Sequence, residues 1–325
     1  MTPSVAVLML TWNQREDTVK CLESIARGGY PDYRVYVVDN GSEDGTFEEI
    51  NNRFDFATVI KHSTNLGAAA GRNSGLRKIR QDGGADIVFF LDNDTEIDQH
   101  AINRLRSFIV EHPGISLVLP KTLQLAHPEL IDEAGGCEVN FWTGLVKQNG
   151  HGVDDGVAFG SRCFNPGLGS SAALAVRWEV IDHIGGFDVR YDPYGYEDLD
   201  FNLRARAAGF LAAYEPAVVI YHKGNKTGFG GYTYDYAFLK GRNLKIFLKK
   251  HASLVQRTVC ASFMFIRILG IMIRERHRIG LNPALGMFKG FFLCKITGFS
   301  DEKDLSEGKR ISRYFQMPRM PYGDQ

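Results

Sequence analysis

Three apolar runs of strand length, separated by helical patterns, most constrain the fold of the first hundred residues. Residues 5–10, 35–38 and 87–91 are continuously apolar, which is typical of strands that are buried on both faces of a sheet. Residues 15–27 and about 68–80 carry apolar or small side chains at helical spacing. Strand–helix–strand units of this length predict an α/β fold with a mostly parallel sheet and right-handed crossovers.

The alternation changes after residue 115. Residues 121–166 are rich in Gly, His and Asp and predict short antiparallel strands and loops. A strand is expected again at 217–221, after a helix at 197–208. From there the pattern turns helical, over 234–250, 253–278 and 284–296. We therefore expect an α/β domain at 1–230 and a helical region at 231–325, which ends in a polar, poorly ordered tail.

Charge is distributed unevenly along the chain, although its total is zero. The 38 Lys and Arg balance 38 Asp and Glu. Residues 240–325 nonetheless hold 17 basic and 6 acidic side chains, a net charge of +11. Residues 1–239 hold 21 basic and 32 acidic side chains, a net charge of −11. Such asymmetry is typical of a protein in which one part meets an anionic surface.

Cysteine spacing and hydropathy predict a reduced, cytoplasmic protein. The five cysteines are scattered and form no CxxC pair, which argues against a disulfide framework and a zinc site. A strand-like run begins at Ser4 with no basic segment before it, unlike a signal peptide. The most apolar segment, residues 258–273, has 16 residues and contains Arg267, whereas a membrane span needs about 20 apolar residues. We therefore expect no transmembrane helix, while a helix that lies on a membrane surface stays open.

Polar residues follow three of the predicted strands. Because ligands bind at the carboxyl ends of the strands in open α/β sheets, these loops predict a binding cleft. Turn residues such as Asp, Asn and Gly also end strands that have no binding role. The three loops are 11–13 (TWN), 39–42 (DNGS) and 92–94 (DND).

Asp92 and Asp94 are the most specific of these residues. They follow a buried strand at spacing i, i+2, so a rigid element would hold two carboxylates that can bind one divalent cation. Mg²⁺ and Mn²⁺ accept such oxygen ligands and keep positions open for a diphosphate. His222 follows the strand predicted at 217–221 and is a candidate third ligand, although an isolated His is more often structural.

A Gly-rich segment, residues 65–75 (NLGAAAGRNSG), opens one of the predicted helices. It lacks the Lys-Ser/Thr pair of a P-loop and the spacing of a dinucleotide-binding loop. Its small residues allow a helix to pack closely on the sheet or on a ligand. Arg72 is then either a contact to a nucleotide phosphate or base, or an exposed residue of a structural helix.

Acidic residues cluster again where the helix at 197–208 should begin. Glu197 and Asp198 lie in its first turn, where acids also favour the helix dipole. Helix capping alone does not explain the aromatic, Gly-rich residues that precede them. Among these, Tyr191, Tyr194 and Tyr196 suggest a pocket wall. A carboxylate at this place can accept a proton from a substrate hydroxyl.

In their order along the chain, these segments resemble the inverting nucleotide-sugar transferases of glycosyltransferase family 2, which have the GT-A fold. The resemblance covers about residues 4–250 and is greatest to rhamnosyl- and galactofuranosyl-type members. It is carried by VLMLTWN at 7–13, VVDNGS at 37–42 with DGT at 44–46, NLG at 65–67 with GRNSG at 71–75, FFLDND at 89–94, IGGFD at 184–188, YEDLDF at 196–201 with LR at 203–204, and His222. GSS at 169–171 departs from the commonest form of the family and leaves the acceptor open.

The resemblance implies a catalytic GT-A domain with a C-terminal helical appendage. Its nucleotide-sugar half would be about 1–115 and its acceptor half about 116–230. Asp198 would be the catalytic base with Glu197 beside it, and Asp94, Asp92 and His222 would hold Mn²⁺ or Mg²⁺. The residues implied to bind the nucleotide sugar are Thr11, Asn13, Asp39, Asn40, Arg72, Asp92, Asn93 and Arg242.

The implied activity is metal-dependent, inverting sugar transfer from a UDP- or dTDP-linked donor to a glycan or lipid-linked acceptor, in the synthesis of cell-surface polysaccharide or glycoconjugate. A catalytically silent nucleotide-sugar-binding module of the same fold is the alternative. A sugar-1-phosphate nucleotidyltransferase is disfavoured, because residues 11–15 lack its Gly-rich loop. No nucleic-acid partner is expected. The basic and apolar residues of 240–296 would contact an anionic membrane from its cytoplasmic side, or else pack on the core or on a second subunit in a homo-oligomer.

Overall fold

One ten-stranded sheet forms the centre of the molecule in the computed structural model, which describes residues 3–29, 33–224, 233–275 and 281–296. The first part of the chain alternates strands and helices, as predicted. Its elements are β1 (Val5–Thr11), α1 (Arg15–Arg27), β2 (Tyr33–Asp39), α2 (Thr46–Arg53), β3 (Ala57–Lys61), α3 (Ala68–Gln81) and β4 (Ile87–Asp92).

Shorter strands follow, as the composition of 121–166 predicts. The next elements are β5 (Thr95–Ile97), α4 (Ala101–Glu111), β6 (Ile115–Gln124), β7 (His127–Glu133), β8 (Cys137–Asn140), β9 (Leu145–Gln148), β10 (Cys163–Phe164), β11 (Ala173–Arg177), α5 (Trp178–Ile184), α6 (Glu197–Ala207) and β12 (Leu211–His222). The chain continues with α7 (Tyr234–His251), α8 (Leu254–Glu275), α9 (Asn282–Phe288) and a π-helical turn, Lys289–Leu293.

The sheet is parallel where the sequence predicts it and mixed beyond. Its strand order is β10-β12-β6-β11-β4-β1-β2-β3, with β5 paired to β12 and β7 paired to β6. β1 is parallel to β2 and to β4, and β6 is parallel to β12. β11 lies between β4 and β6 and is antiparallel to both. The carboxyl ends of β1, β2 and β4 therefore lie at one edge of the sheet.

Helices cover both faces of the sheet and explain the continuous apolar runs. On β1, Val5, Val7 and Met9 pack with side chains of α1 and α4 on one face. Ala6 and Leu8 pack with side chains of α3, α5 and α6 on the other face. Because successive strand residues point to opposite faces, a strand between two helical layers is apolar at every position.

The C-terminal helices pack on the sheet domain through α7. Phe247 of α7 is buried together with Tyr191 and Leu199, which flank the start of α6. α9 crosses α7 closely, since a Cβ atom on Gly286 would lie 2.3 Å from the carbonyl oxygen of Tyr234. The helices expected at 234–250 and 284–296 are thus observed, while the expected tail, 297–325, lies outside the described residues. The domain boundary at 230 stays a prediction.

α8 corrects the expectation that no helix has the length to span a membrane. The helix begins at Leu254, four residues before the apolar segment that the sequence indicated. Residues Leu254–Ile273 are long and apolar enough to cross a membrane by length and composition, with a mean hydropathy of 1.5 and 17% of the window buried. One helix of this kind is weak evidence for a span, because core helices of soluble proteins pass the same test.

Candidate active site

The ends of β4 and β12 bring together a carboxylate pair and a histidine. Asp92 ends β4, Asp94 follows in the turn to β5, and β5 pairs with the end of β12 so that Thr95 lies opposite His222. Asp92, Asp94 and His222 each offer one ligand atom, and these atoms lie within 4.8 Å of one another. Two carboxylates and one imidazole are a donor set that fits Mn²⁺ or Mg²⁺. The three residues predicted as metal ligands are therefore adjacent.

His222 lies between two carboxylates. Its Nε2 atom is 3.3 Å from Oδ1 of Asp94, and its Nδ1 atom is 2.8 Å from Oδ2 of Asp132. Burial lowers the pKa of His222, but the hydrogen bonds to Asp132 and Asp94 outweigh it and raise the pKa to about 10. A cation that binds at Nε2 therefore has to displace a proton.

Arg72 joins this site to the acidic start of α6. Its Nη2 atom donates to Oδ1 of Asp92 at 2.7 Å, and its Nη1 atom donates to Oε1 of Glu197 at 3.1 Å. The guanidinium is buried, so the interpretation of Arg72 as an exposed helix residue is wrong. Both ends of the guanidinium are held by carboxylates in this structure, while the residue still lies on the wall of the cleft described below.

Glu197 and Asp198 begin α6 after a sharp turn of the backbone. Tyr196, just before them, has a φ of 74°, a strained conformation for a residue with a side chain. Both oxygens of Glu197 have donors, from Arg72 and from the backbone N–H of Gly195 at 2.6 Å. Within the described part of the chain, Asp198 accepts only backbone N–H groups, from Leu199 at 2.7 Å and Ser171 at 3.3 Å. Arg72 therefore hydrogen-bonds to Glu197, whereas no described Arg hydrogen-bonds to Asp198.

Burial raises the pKa of both acids at the start of α6. For Glu197 the neighbouring charge of Asp198 adds to the effect of burial, and Arg72 opposes it. For Asp198 burial is again the largest cause, opposed by the N–H groups of Leu199 and Ser171 and by Arg72. A carboxylate with a raised pKa is a stronger proton acceptor, which suits a general base.

A cleft of about 320 Å³ opens at this edge of the sheet. Five of the residues predicted to bind a nucleotide sugar line it, namely Thr11, Asn40, Arg72, Asp92 and Asn93. The predicted metal ligand Asp94 also lines it, together with Trp12, Gln14, Asn65 and Tyr194, among others. The volume lies at the lower end of the range for small-ligand sites. Among the three predicted wall tyrosines, Tyr194 lines the cleft, whereas Tyr191 is fully buried.

The polar atoms of three cleft residues are engaged by the protein itself. Oγ1 of Thr11 is 2.7 Å from Oγ1 of Thr18, and Asn93 donates to both hydroxyls at 3.3 and 3.2 Å. Asn40 donates to Oδ1 of Asn65 at 2.7 Å and accepts from a backbone N–H in the same loop. These side chains fix the loops that shape the cleft.

Asp39 is placed differently, because it is fully buried and only one of its two carboxylate oxygens has a hydrogen-bond partner among the described residues. Its Oδ1 atom accepts from the N–H of Ser42 at 2.9 Å, while its Oδ2 atom is buried and has no hydrogen-bond partner among the described residues. Asn13, with a φ of 52°, accepts from the N–H of Glu43 at 2.7 Å and so ties the first loop to the second. A buried acceptor without a partner is uncommon in proteins and is typical of a group that meets a ligand.

Arg242 reaches the backbone before α6 and not the described wall of the cleft. Its Nη2 atom donates to the carbonyl oxygens of Asp192 and Arg190, and its Nε atom donates to Asn243. Asn243 in turn donates to the carbonyl oxygens of Tyr191, Tyr194 and Gly195 at 2.7, 2.9 and 3.0 Å. In this structure Arg242 supports the turn that presents Glu197, and its contact with a diphosphate stays a prediction.

Three acids near the site were not predicted from the sequence. Asp192 accepts from the N–H groups of Ala69 and Ala70 at 2.8 and 3.2 Å and so caps α3, while burial raises its pKa to about 8. Asp132 holds His222, and Glu133 accepts from Ser170 beside the loop that contacts Asp198. Asp132 and Glu133 lie on β7, which carries no motif, so only the strand pairing reveals them.

Comparison with known proteins finds similar sequences among glycosyltransferases. Residues 6–121 match glycosyl transferase family 2. The glycosyltransferase AglE of Haloferax volcanii is 26% identical over 70% of this chain and 69% of its own length. An N-acetylglucosaminyl-diphospho-decaprenol L-rhamnosyltransferase of Mycobacterium tuberculosis is also 26% identical, over 70% of this chain and 79% of its own.

Solved structures agree on the fold. The mannosyltransferase PcManGT from Pyrobaculum calidifontis, in complex with GDP-Man and Mn²⁺, superposes with a TM-score of 0.54 at 15% identity, over 91% of this chain and 89% of that one. GalNAc-T7 with UDP, GalNAc and Mn²⁺ gives a TM-score of 0.55 at 14% identity, over 90% of this chain and 55% of that one. Residues 6–121 are therefore a glycosyltransferase family 2 domain, and the mostly parallel sheet with its structural neighbours shows the GT-A fold, here with additional C-terminal helices.

Proposed function

We propose that this chain is a metal-dependent, inverting glycosyltransferase that moves a sugar from a UDP- or dTDP-linked donor to an acceptor hydroxyl. One observation carries the proposal. Arg72 links Asp92, at the metal-ligand cluster, to Glu197, next to Asp198, so one ion network connects the donor site to the proposed base. The PcManGT structure holds GDP-Man with Mn²⁺, and the GalNAc-T7 structure holds UDP with Mn²⁺.

Each half of the reaction has a group suited to it. Asp198 accepts the proton of an acceptor hydroxyl while the oxygen attacks the anomeric carbon from the side opposite the diphosphate. The bond between the anomeric carbon and the diphosphate oxygen breaks, and the configuration at that carbon inverts. A divalent cation held by Asp92, Asp94 and His222 supplies positive charge against the leaving diphosphate.

The donor is oriented by the three loops at the sheet edge. Oδ2 of Asp39 is the free buried acceptor, which suits an N–H group of the base or a ribose hydroxyl. Thr11, Asn13, Asn40 and Asn93 hold the loops in shape around it. Arg72 holds Asp92 and Glu197 in place by hydrogen bonds to both carboxylates.

We also propose a membrane-presented, lipid-linked acceptor, such as the decaprenol-linked one named for the mycobacterial relative. The solvent-facing positions of α8 from 254 to 273 carry no charged side chain, and Leu254, Ile266 and Ile273 are 71%, 68% and 71% exposed. Phe292 packs edge-on against Phe265 of α8, and Lys289 and Lys295, three residues before and after Phe292, are exposed. An apolar helix face bordered by basic side chains fits an anionic bilayer surface.

A donor screen tests the function. The protein is mixed with a panel of UDP- and dTDP-sugars and simple or prenyl-diphosphate-linked acceptors, with Mn²⁺, with Mg²⁺ or with EDTA, and release of the nucleoside diphosphate is followed. We expect metal-dependent release from one donor class. Binding of donors without turnover in any combination would instead support the catalytically silent module.

A further inference from the structure

A carboxylate on a different strand contacts His222 through Nδ1, the ring nitrogen that does not face Asp94. β6 lies between β12 and β7 at residues 122–124, since His222 pairs with Gln124 on one side and Ile131 pairs with Leu123 on the other. Asp132 of β7 reaches across β6 and places Oδ2 2.8 Å from Nδ1 of His222. The contact therefore joins two strands that do not pair directly.

Burial and contacts at both carboxylate oxygens restrain the side chain of Asp132. Its side chain is mostly buried, and its second carboxylate oxygen lies 3.3 Å from Nδ1 of His151. The same nitrogen of His151 is 3.0 Å from the backbone carbonyl oxygen of Asp132. Both carboxylate oxygens thus have an imidazole partner, and one of these partners faces the metal-ligand cluster.

The direction of this hydrogen bond fixes what His222 can offer to a cation. An ionised carboxylate only accepts, so Nδ1 of His222 must carry the hydrogen and donate it to Asp132. Nε2 is then the nitrogen that can present a lone pair, and it is the one that lies 3.3 Å from Asp94. A carboxylate partner of this kind also makes an imidazole a stronger ligand.

We propose that Asp132 is a positioning residue of the metal site, which selects the ring orientation and the tautomer of His222 and aims Nε2 at the cation. The proposal rests on the proposed function only in taking Asp92, Asp94 and His222 as ligands. Asp132 lies outside every motif of the family resemblance, and no side-chain atom of Asp132 belongs to the ligand cluster.

The test is the affinity for Mn²⁺, measured from the electron paramagnetic resonance signal of free Mn²⁺ with the protein alone and with saturating UDP or dTDP. We expect Asp132→Ala to weaken Mn²⁺ binding about 10–100-fold, and Asp132→Asn, which keeps an acceptor oxygen, to weaken it less. Asp155→Asn is the matched control, because it removes an acid that pairs with Lys121, whereas the carboxylates beside His222 are Asp94 and Asp132. That control is expected to bind Mn²⁺ as the wild type does.

A second comparison separates positioning from general damage. In a His222→Ala background, Asp132→Ala should cause no further loss of Mn²⁺ affinity, because its effect passes through His222. Equal losses in the two backgrounds, or Mn²⁺ affinity in Asp132→Ala within twofold of wild type, would overturn the inference. Wild-type protein that binds Mn²⁺ but transfers no sugar would refute the proposed function and leave the role of Asp132 standing.

Discussion

Replacement of Arg72 by Met tests the ion network that links the two halves of the site. Met keeps the length of the side chain and removes its charge, which leaves Glu197 buried beside an apolar group. The Arg72 and Glu197 side chains are only 7% and 6% exposed, and their atoms are 3.1 Å apart, so water compensates little. Removal of one partner of a buried pair costs about 3–5 kcal/mol. That is a large part of the roughly 5–15 kcal/mol by which a native domain is stable.

Urea denaturation at neutral pH measures this cost, with Arg80→Met as the control. Arg80 and its partner Asp182 are 61% and 51% exposed, and an exposed pair contributes about 0–1 kcal/mol. The double variant Arg72→Met/Glu197→Gln should recover part of the loss, because no charge is then left unpaired at position 197. The reasoning fails if Arg72→Met costs no more than Arg80→Met, or if Glu197→Gln gives no recovery.

Two further predictions concern pH and membranes. Burial raises the pKa of Asp188, but hydrogen bonds to Arg190 and Lys250 outweigh it and lower the pKa from 3.8 to about 2. The ionised form is therefore favoured on folding, and its contribution is present above pH 3.8 and lost as the pH falls through about 2. Asp188→Asn should flatten the fall of the urea midpoint over that range, and an unchanged slope would contradict the assignment. Ile266→Glu, on the exposed face of α8, should reduce flotation with anionic liposomes several-fold, while Val110→Glu, at a 58% exposed site on α4, should not. Equal flotation of both variants and the wild type would argue against α8 as the membrane contact.

The sequence predicts the elements well because most of them have a strong local pattern. Continuous apolar runs such as 87–91 require cover on both faces, and the helices that supply it follow at once along the chain. The metal-ligand cluster was also predictable, since Asp92 and Asp94 end one strand and His222 ends another. The helix expected at 253–278 is observed as α8, but Gln256 and Arg257 made its apolar segment look shorter than a membrane span, because they separate Leu254 and Val255 from the apolar run.

What the sequence cannot predict is the partner of each polar side chain. Arg72 could meet a phosphate or a carboxylate, and only the approach of α6 to α3 shows that it pairs with Glu197. The partners of Arg242 cannot be predicted from the sequence either, because its carbonyl partners belong to a loop about 50 residues away. Asp132 stands in a plain edge strand, and its role depends on a contact across β6. Such contacts depend on tertiary packing, which local sequence patterns do not reveal.

The turnover of Asp198→Asn tests the central claim most directly. With the donor found in the screen and saturating Mn²⁺, we expect the rate of sugar transfer to fall about 10²–10⁴-fold, the usual contribution of a positioned general base. The affinity for the nucleoside diphosphate should stay within a few-fold of wild type, because the described partners of Asp198 are backbone N–H groups and Asp198 is not among the described residues that line the cleft. Transfer by Asp198→Asn at a near-normal rate, with intact diphosphate binding, would contradict the assignment of Asp198 as the base.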